Sequence, residues 1–268
     1  MAWLNAMPRP IITLTTDFGL SDYFVGAMKG VMLRICPAAR LVDISHEITP
    51  FEIPEAAFVI AQAYRHFPPK TVHVVVVDPG VGTSRRPILA EAAGQYFLAP
   101  DNGVLTMIYS REKHKVRAIT AERFFLKPVS NTFHGRDVFA PVAAHLAKDS
   151  RPARFGKLIH DYLRSSFDKP TRTGKRVWTG NILKIDRFGN LITNLAVSEF
   201  AAVRERPFQV LVGPRTVAQF ARTFAEAPAG ELVLIEGSSG YLEIAANQAS
   251  AAKIIGCAVG TQVDLTIW

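Results

Sequence analysis

Ile11-Ile12-Thr13-Leu14-Thr15-Thr16-Asp17-Phe18-Gly19 is an apolar, β-branched run closing in a polar turn. It reads as a strand whose carboxyl end carries polar chemistry. After it, Phe24, Met28, Val31, Met32 and Ile35 recur at helical spacing until Pro37 stops the helix, and Leu41 to Ile44 reads as a second strand. Strand, helix and strand in that order make a βαβ unit with parallel strands. A second helix is expected after Pro54, with Ala57, Ile60, Ala61 and Tyr64 on one face. Val72 to Val77 is almost wholly apolar, as a central strand covered on both faces should be. A third helix is expected over Val138 to Lys148, with Phe139, Val142, Ala143 and Leu146 as its apolar stripe and Pro141 in its first turn. That places His134 just before a helix N-terminus.

Residues 151–174 lose this periodicity and gain proline and charge, as in Arg151, Pro152, Lys169, Pro170 and Gly174, and read as a linker. Beyond it the strand candidates are short and turn-punctuated: Arg176 to Ile185, Leu191 to Leu195, Phe208 to Val212, Glu231 to Ile235, Tyr241 to Ala245 and Gln262 to Ile267. That pattern suits a small antiparallel barrel or sandwich. The expected organisation is therefore an α/β domain over 1–150 with a mostly parallel sheet flanked by helices, a linker over 151–174, and a smaller antiparallel β domain over 175–268.

The chain has 268 residues, 49% apolar and 20% charged, which excludes disorder as its dominant state. No stretch approaches the roughly 18 apolar residues of a membrane span, and Met1 to Pro10 lacks a basic segment followed by an apolar run. Only Cys36 and Cys257 are present, no CxxC occurs, and the seven histidines show no metal-ligand spacing. The expectation is a soluble, cytoplasmic protein with no metal. Lys and Arg number 31 against 23 Asp and Glu, a net charge of +8. The excess lies in short groups such as Arg111 to Lys115 and Arg172 to Arg176, without an aromatic-interleaved pattern, and reads as a solvated surface, not a nucleic-acid footprint.

In open α/β sheets ligands collect beyond the carboxyl ends of the strands. Three endings qualify: Thr15-Thr16-Asp17-Phe18-Gly19, Ser45-His46, and Asp78-Pro79-Gly80-Val81-Gly82-Thr83. Asp17 either accepts hydrogen bonds from the vicinal hydroxyls of a ribose or caps a turn. The glycines after Asp78 lack the spacing of phosphate-binding loops. Phe133-His134-Gly135-Arg136-Asp137 puts a histidine at a helix entrance, where the dipole favours the neutral imidazole, a base or a packed cap. Asp186-Arg187-Phe188-Gly189-Asn190 is a turn with a planar aromatic, a purine clamp or a hairpin connection. Gly237-Ser238-Ser239-Gly240-Tyr241 offers hydroxyls and backbone N–H groups to a carboxylate, or is only a turn.

Taken together and in order, these motifs, with Arg85 after the Asp78 loop and Ala99-Pro100-Asp101-Asn102-Gly103, resemble the S-adenosylmethionine hydroxide adenosyltransferases. That family is related to fluorinating and chlorinating enzymes, and the resemblance covers nearly the whole chain. It implies a β-barrel C-terminal domain and a homotrimer whose sites lie between one subunit's N-terminal domain and a neighbour's C-terminal domain. By resemblance, Asp17 holds the ribose hydroxyls, Phe188 and Phe224 flank the adenine, and Asn190 meets its edge. Asp22 and Asp186 meet the methionine ammonium, Ser238 meets its carboxylate, and Phe51 and Phe133 complete the substrate-binding set. Asp78, Arg85 and His134 are the implied catalytic set, with neutral His134 oriented by Asp78 as base and Arg86 an alternative to Arg85.

The implied reaction is hydrolysis of S-adenosylmethionine by attack of activated water at C5′, giving adenosine and L-methionine, with no cofactor, since S-adenosylmethionine is the substrate. Halogenating relatives carry tyrosine where Asp78 and His134 stand and, in the fluorinating type, arginine at the place of Ala246. The alternatives are a halide adenosyltransferase making a 5′-halo-5′-deoxyadenosine, and a non-catalytic binder of the same nucleoside. No nucleic-acid or membrane partner is expected.

Overall fold

The computed structural model describes residues 9–268, and the chain divides into two compact units, up to Arg164 and from Ser165. The reading of Met1 to Pro10 lies, for residues 1–8, outside the described residues.

Unit 1 is built on a seven-stranded sheet: β1 (Ile11–Thr16), β2 (Arg40–Ser45), β3 (Val72–Val76), β4 (Pro87–Ala92), β5 (Gln95–Pro100), β6 (His114–Ala118) and β7 (Leu158–Ile159), in the order β2-β1-β3-β5-β4-β6-β7. Strands β2, β1, β3 and β5 run parallel, as the apolar runs require, and β4, β6 and β7 extend the sheet antiparallel. The parallel strands are linked by helices α1 (Phe24–Ile35) and α2 (Ile53–Ala63), at the expected places; α3 (Thr106–Arg111) and α4 (Ala140–Ala147) complete the unit. Alternation along the buried strands divides the core. Ile12, Leu14, Val74 and Val76 pack with Met28 and Met32 of α1 and with Val142 and Ala143 of α4.

The β4–β5 hairpin is not anticipated by the sequence reading. Its turn residues Ala93 and Gly94 both take positive φ, 51° and 71°, the backbone that a tight two-residue hairpin requires. The helix expected to begin at Val138 begins earlier, with a π-turn over Gly135–Phe139 running into α4. The Ala140 N–H bonds to the Gly135 carbonyl, and Pro141, which has no N–H, follows within the first turn of α4. His134 has helical backbone at the head of this segment.

The boundary between the units falls inside the stretch expected as a linker. Its first part is folded into unit 1, because Phe155 is fully buried and Leu158–Ile159 pairs with β6.

Unit 2 is an antiparallel sheet of β8 (Thr171–Arg172), β9 (Val177–Ile185), β10 (Leu191–Ala196), β11 (Phe208–Val212), β12 (Arg215–Val217), β13 (Leu232–Glu236), β14 (Tyr241–Ala246) and β15 (Gln262–Ile267). The order is β12-β11-β15-β9-β10-β14-β13, with β8 beside β9. Ala221 N–H to Leu234 C=O (3.0 Å) and Leu234 N–H to Gln219 C=O (2.8 Å) join the chain after β12 to β13, so the sheet nearly closes into a barrel. Ile182, Leu191, Val210, Leu242, Ile244, Val263 and Leu265 fill its interior. No described helix is long and apolar enough to cross a membrane.

A fully buried histidine sits at the centre of the unit 1 sheet. His73 is fully buried on β3, with Nδ1 2.7 Å from Thr13 Oγ1 and Nε2 3.0 Å from Gln95 Oε1. Burial, opposed by the Gln95 contact, pushes its pKa down from 6.5 to about 4. The folded chain thus refuses a proton that the unfolded chain accepts, so stability is lost as pH falls from about 6.5 toward 4. Urea denaturation at pH 7 and pH 4 should show an acid penalty on the order of 3 kcal/mol that a His73→Gln variant lacks.

Candidate active site

Thr16 and Val76 are register partners in adjacent parallel strands, so the chain leaves both at the same end of the sheet. Asp17 and Asp78 follow within two residues. With Phe51, Phe133 and His134 they line one pocket of about 250 Å³, walled also by Phe18, Phe24 and Val81. Phe133 meets Phe24 and Phe18 edge to face at 5.1 and 5.9 Å, a rigid aromatic wall.

Behind this pocket lies a buried ionic cluster. Asp78 and Arg85 are 5% and 8% exposed at their side chains and paired through two contacts, Arg85 Nε to Asp78 Oδ1 at 3.0 Å and Arg85 Nη2 to Asp78 Oδ2. The same Nη2 lies 3.3 Å from His134 Nδ1. Arg85 therefore stands between the carboxylate and the imidazole, and it, not Asp78, orients the histidine. Burial raises the Asp78 carboxyl and lowers the Arg85 guanidinium, each countered by the other's charge. His134 is lowered by burial and then by Arg85, against the pull of Asp78 and Asp137, so the imidazole is held neutral at pH 7. With Arg85 donating to Nδ1, the ring proton belongs on Nε2. Arg85 Nη1 is buried and has no hydrogen-bond partner among the described residues, leaving a cationic donor for a further acceptor.

The loop after Asp78 is held in place from outside the pocket. Gly82 has φ of 77°, and a Cβ there would collide with the Asn131 carbonyl oxygen, so only glycine lets this loop lie against the segment leading to Phe133. Asn102 Nδ2 donates to the Val77 carbonyl at 2.8 Å, and Asp101 accepts from Arg86 Nη2 at 2.7 Å. Arg86 also binds Asp161 at 3.0 Å and thus belongs to this brace, not to the cluster around Asp78.

Asp17 Oδ2 accepts the Phe51 N–H at 3.0 Å. Burial raises this carboxyl and the Phe51 N–H opposes the rise. Phe51 has φ of 72°, a strained conformation for a non-glycine residue, and its ring is 70% exposed at the pocket edge. Asp22 is exposed in the bend before α1.

Unit 2 carries its own cavity of about 600 Å³, lined by Phe188, Asn190, Phe224 and the segment Ala246 to Ser250. Phe188 is 78% exposed, an aromatic face offered to a planar partner. Asp186 organises the turn beneath it: Oδ1 accepts from Phe188 N and Asn190 N at 2.9 and 2.8 Å, and Oδ2 from Asn190 Nδ2 at 2.8 Å. Ser238 is exposed on the β13–β14 turn. The sequence reading missed Glu243 on β14. It is buried directly under that turn, since a Cβ on Gly237 would overlap its carboxylate, and Ser239 Oγ lies 3.4 Å from Oε1. Alternation along β14 puts it on the face opposite Leu242 and Ile244, so nothing local in the sequence signalled its burial.

Fold and site together define a two-unit architecture in which the α/β unit carries a pocket backed by a buried acid–guanidinium–imidazole cluster and the second unit is a nearly closed β-barrel. The SAM hydroxide adenosyltransferase N-terminal domain matches residues 12–156 and the corresponding C-terminal domain residues 180–264. A protein of Salinispora arenicola named (R)-S-adenosyl-L-methionine hydrolase is 38% identical over 96% of this chain and 98% of its own length. A crystal structure of an uncharacterized conserved protein from Thermotoga maritima superposes with a TM-score of 0.85 at 38% identity, covering 96% of this chain and 99% of that one. A fluorinase of an Actinoplanes species is more distant, 29% identical over 98% of this chain and 99% of its own. The chain belongs to the SAM hydroxide adenosyltransferase family.

Burial, and then the neighbouring Asp186 charge, raises the Glu243 carboxyl. A raised carboxyl favours the folded state only below its unfolded value, and that contribution is lost as pH rises through its folded value. Glu243→Gln should therefore raise the melting temperature at pH 8 and leave it nearly unchanged at pH 4, as scanning calorimetry would measure.

Proposed function

We propose that this protein hydrolyses S-adenosylmethionine to adenosine and L-methionine. The observation that carries this reading is the buried Arg85 guanidinium between Asp78 and neutral His134, beside the pocket that holds Asp17. Water attacks C5′, the C5′–S bond breaks with its electron pair going to sulfur, and methionine leaves as a neutral thioether that needs no acid. The water proton passes to His134 Nδ1 as Arg85 Nη2 releases that nitrogen and turns to stabilise the developing hydroxide. Hydroxide and sulfonium annihilate charge, and a pocket walled by Phe18, Phe24 and Phe133 favours that by excluding water.

Asp17, with one oxygen occupied by Phe51 N–H, offers the other to the ribose hydroxyls. Phe188 and Phe224 sandwich the adenine, and Asn190 meets its edge. Asp22 and Asp186 receive the ammonium, Ser238 the carboxylate, and Phe51 and Phe133 wall the sugar. A carboxylate in the reacting pocket disfavours a halide nucleophile, which ranks the halide adenosyltransferase below the hydrolase. The same reading places the enzyme in the cytoplasm, as a homotrimer in which a neighbour's unit 2 completes the site, without nucleic-acid or membrane partners.

Purified protein incubated with either sulfonium epimer of S-adenosylmethionine, with and without chloride, should yield adenosine and methionine by chromatography and mass, independent of chloride. A 5′-chloro nucleoside would transfer the protein to the halogenating branch, and binding without product would make it a sensor.

Asp78→Asn, Arg85→Ala and His134→Ala should each lower kcat by about a hundredfold or more, whereas Arg86→Ala should keep kcat within about threefold and lower the melting temperature. The acid limb of the kcat profile should lie below the ordinary imidazole value, following the lowered His134. Co-expressed Asp78→Ala and Asn190→Ala chains should regain activity that neither has alone if neighbouring copies share sites, and a monomer in sedimentation would refute the trimer.

A further inference from the structure

Beneath the pocket floor runs a polar chain that the hydrolytic scheme does not use. Lys29 Nζ on α1 contacts Asp43 Oδ2 on β2 at 2.6 Å. Asp43 Oδ1 lies 3.0 Å from His46 Nε2, at an angle too oblique for a straight hydrogen bond. His46 Nδ1 lies 2.8 Å from Thr16 Oγ1, and that hydroxyl oxygen accepts the Phe18 N–H at 3.3 Å. The backbone repeats the linkage, because Gly19 N–H donates to the His46 carbonyl at 2.8 Å and Ile48 N–H to the Thr16 carbonyl at 3.4 Å. Thr16 is fully buried and His46 is 4% exposed.

We propose that Lys29, Asp43, His46 and Thr16 form a positioning relay that fixes the Asp17 carboxylate for recognition of ribose hydroxyls, an inference that rests on the ribose reading of Asp17. The hydrogen-bond directions are mutually consistent. Nε2 faces the Asp43 carboxylate, which can only accept, so in the neutral ring the proton sits on Nε2 and Nδ1 takes the Thr16 hydroxyl proton, while the Thr16 oxygen accepts the Phe18 N–H. The carboxylate is in turn held by the Lys29 ammonium. Each link has one orientation, and the chain ends on the two residues that flank Asp17.

Asp17 is restrained a second time from the other side, by the N–H of Phe51 in its left-handed conformation. Two independent restraints thus converge on one half-buried carboxylate. Packing alone does not call for this arrangement: a buried hydroxyl and imidazole are desolvated at a cost that two apolar side chains would avoid. What the polar chain adds is direction, holding the carboxylate in one geometry before the sugar arrives. His46 does not line the pocket, so it acts through Thr16 and the turn.

The test compares binding of adenosine and 2′,3′-dideoxyadenosine to the full-length protein by calorimetry. The wild type should prefer adenosine, and Thr16→Val and His46→Ala should cut that preference about tenfold. His46→Asn, whose amide reaches the position of Nδ1, should restore most of it. Preference retained in both Thr16→Val and His46→Ala, with only their melting temperatures lowered, would overturn the relay while leaving the Asp17 reading intact. A wild type that binds the two nucleosides equally would overturn the Asp17 reading and the relay with it. Thr16→Val preserves volume and keeps the comparison available if His46→Ala does not fold.

Discussion

The parallel pairing of β1 with β3, from Ile12 opposite Val72 to Thr16 opposite Val76, is the constraint on which the rest of unit 1 depends. Because parallel neighbours end together, it sets two acidic turns side by side at one edge of the sheet. Both strands are buried along nearly their whole length, so a one-residue slip would send Ile12 and Leu14 to the face now occupied by Thr13 and His73. The Thr13–His73–Gln95 contacts lock that register with polar geometry, since only one alignment lets all three groups meet. The core therefore fixes the separation of Asp17 and Asp78, and neither loop needs to find it alone.

Burial then gives the two carboxylates different work. Asp17 meets only backbone N–H groups and no cation, which suits a hydrogen-bond acceptor for neutral hydroxyls. Asp78 pairs both oxygens with Arg85 and so supplies the counter-charge of a buried cation. An isolated guanidinium in that place would be costly; paired with Asp78 it is tolerated, and its remaining donors act at low dielectric, where each is worth more than in water. Burial, and then the same guanidinium, keep His134 unprotonated, whereas a direct contact with the Asp78 carboxylate would pull the imidazole up.

Much of this was legible in the sequence wherever the signal is local. Strands β1 to β3, the longer strands of unit 2, α1, α2 and the strand-ending motifs follow from apolar period and turn chemistry within a dozen residues. What escaped depends on contacts between distant residues or on backbone exceptions. The Ala93-Gly94 turn lacks the Asn or Asp that announces a hairpin, so β4 to β6 were not foreseen. Residues 151–164 look like linker by composition, yet Phe155 is a core residue and Arg86 reaches Asp161 across 75 positions. The π-turn at Gly135 shifts the helix entrance by three residues, and Glu243 sits on an apolar strand whose turn hides it. The order of contacts in the cluster could not be read either: nothing local tells that Arg85, and not Asp78, touches a histidine 49 positions on.

That order bears on how one architecture separates water from halide as nucleophile. A halide needs a dry cradle of neutral donors, and it gains nothing from a proton acceptor. Water needs an acceptor for its proton and a cation for the hydroxide that remains. In the proposed reaction Asp78 makes the buried guanidinium tolerable, burial and then the guanidinium keep His134 neutral, and neutral His134 serves as the acceptor, so each group supplies what the next requires. A phenol at His134 would remove that acceptor, and one at Asp78 would leave Arg85 without its buried counter-charge. On the proposed hydrolysis, the nucleophile is selected by the electrostatic closure of three side chains, while the proposed ribose and adenine contacts can stay the same for either reaction.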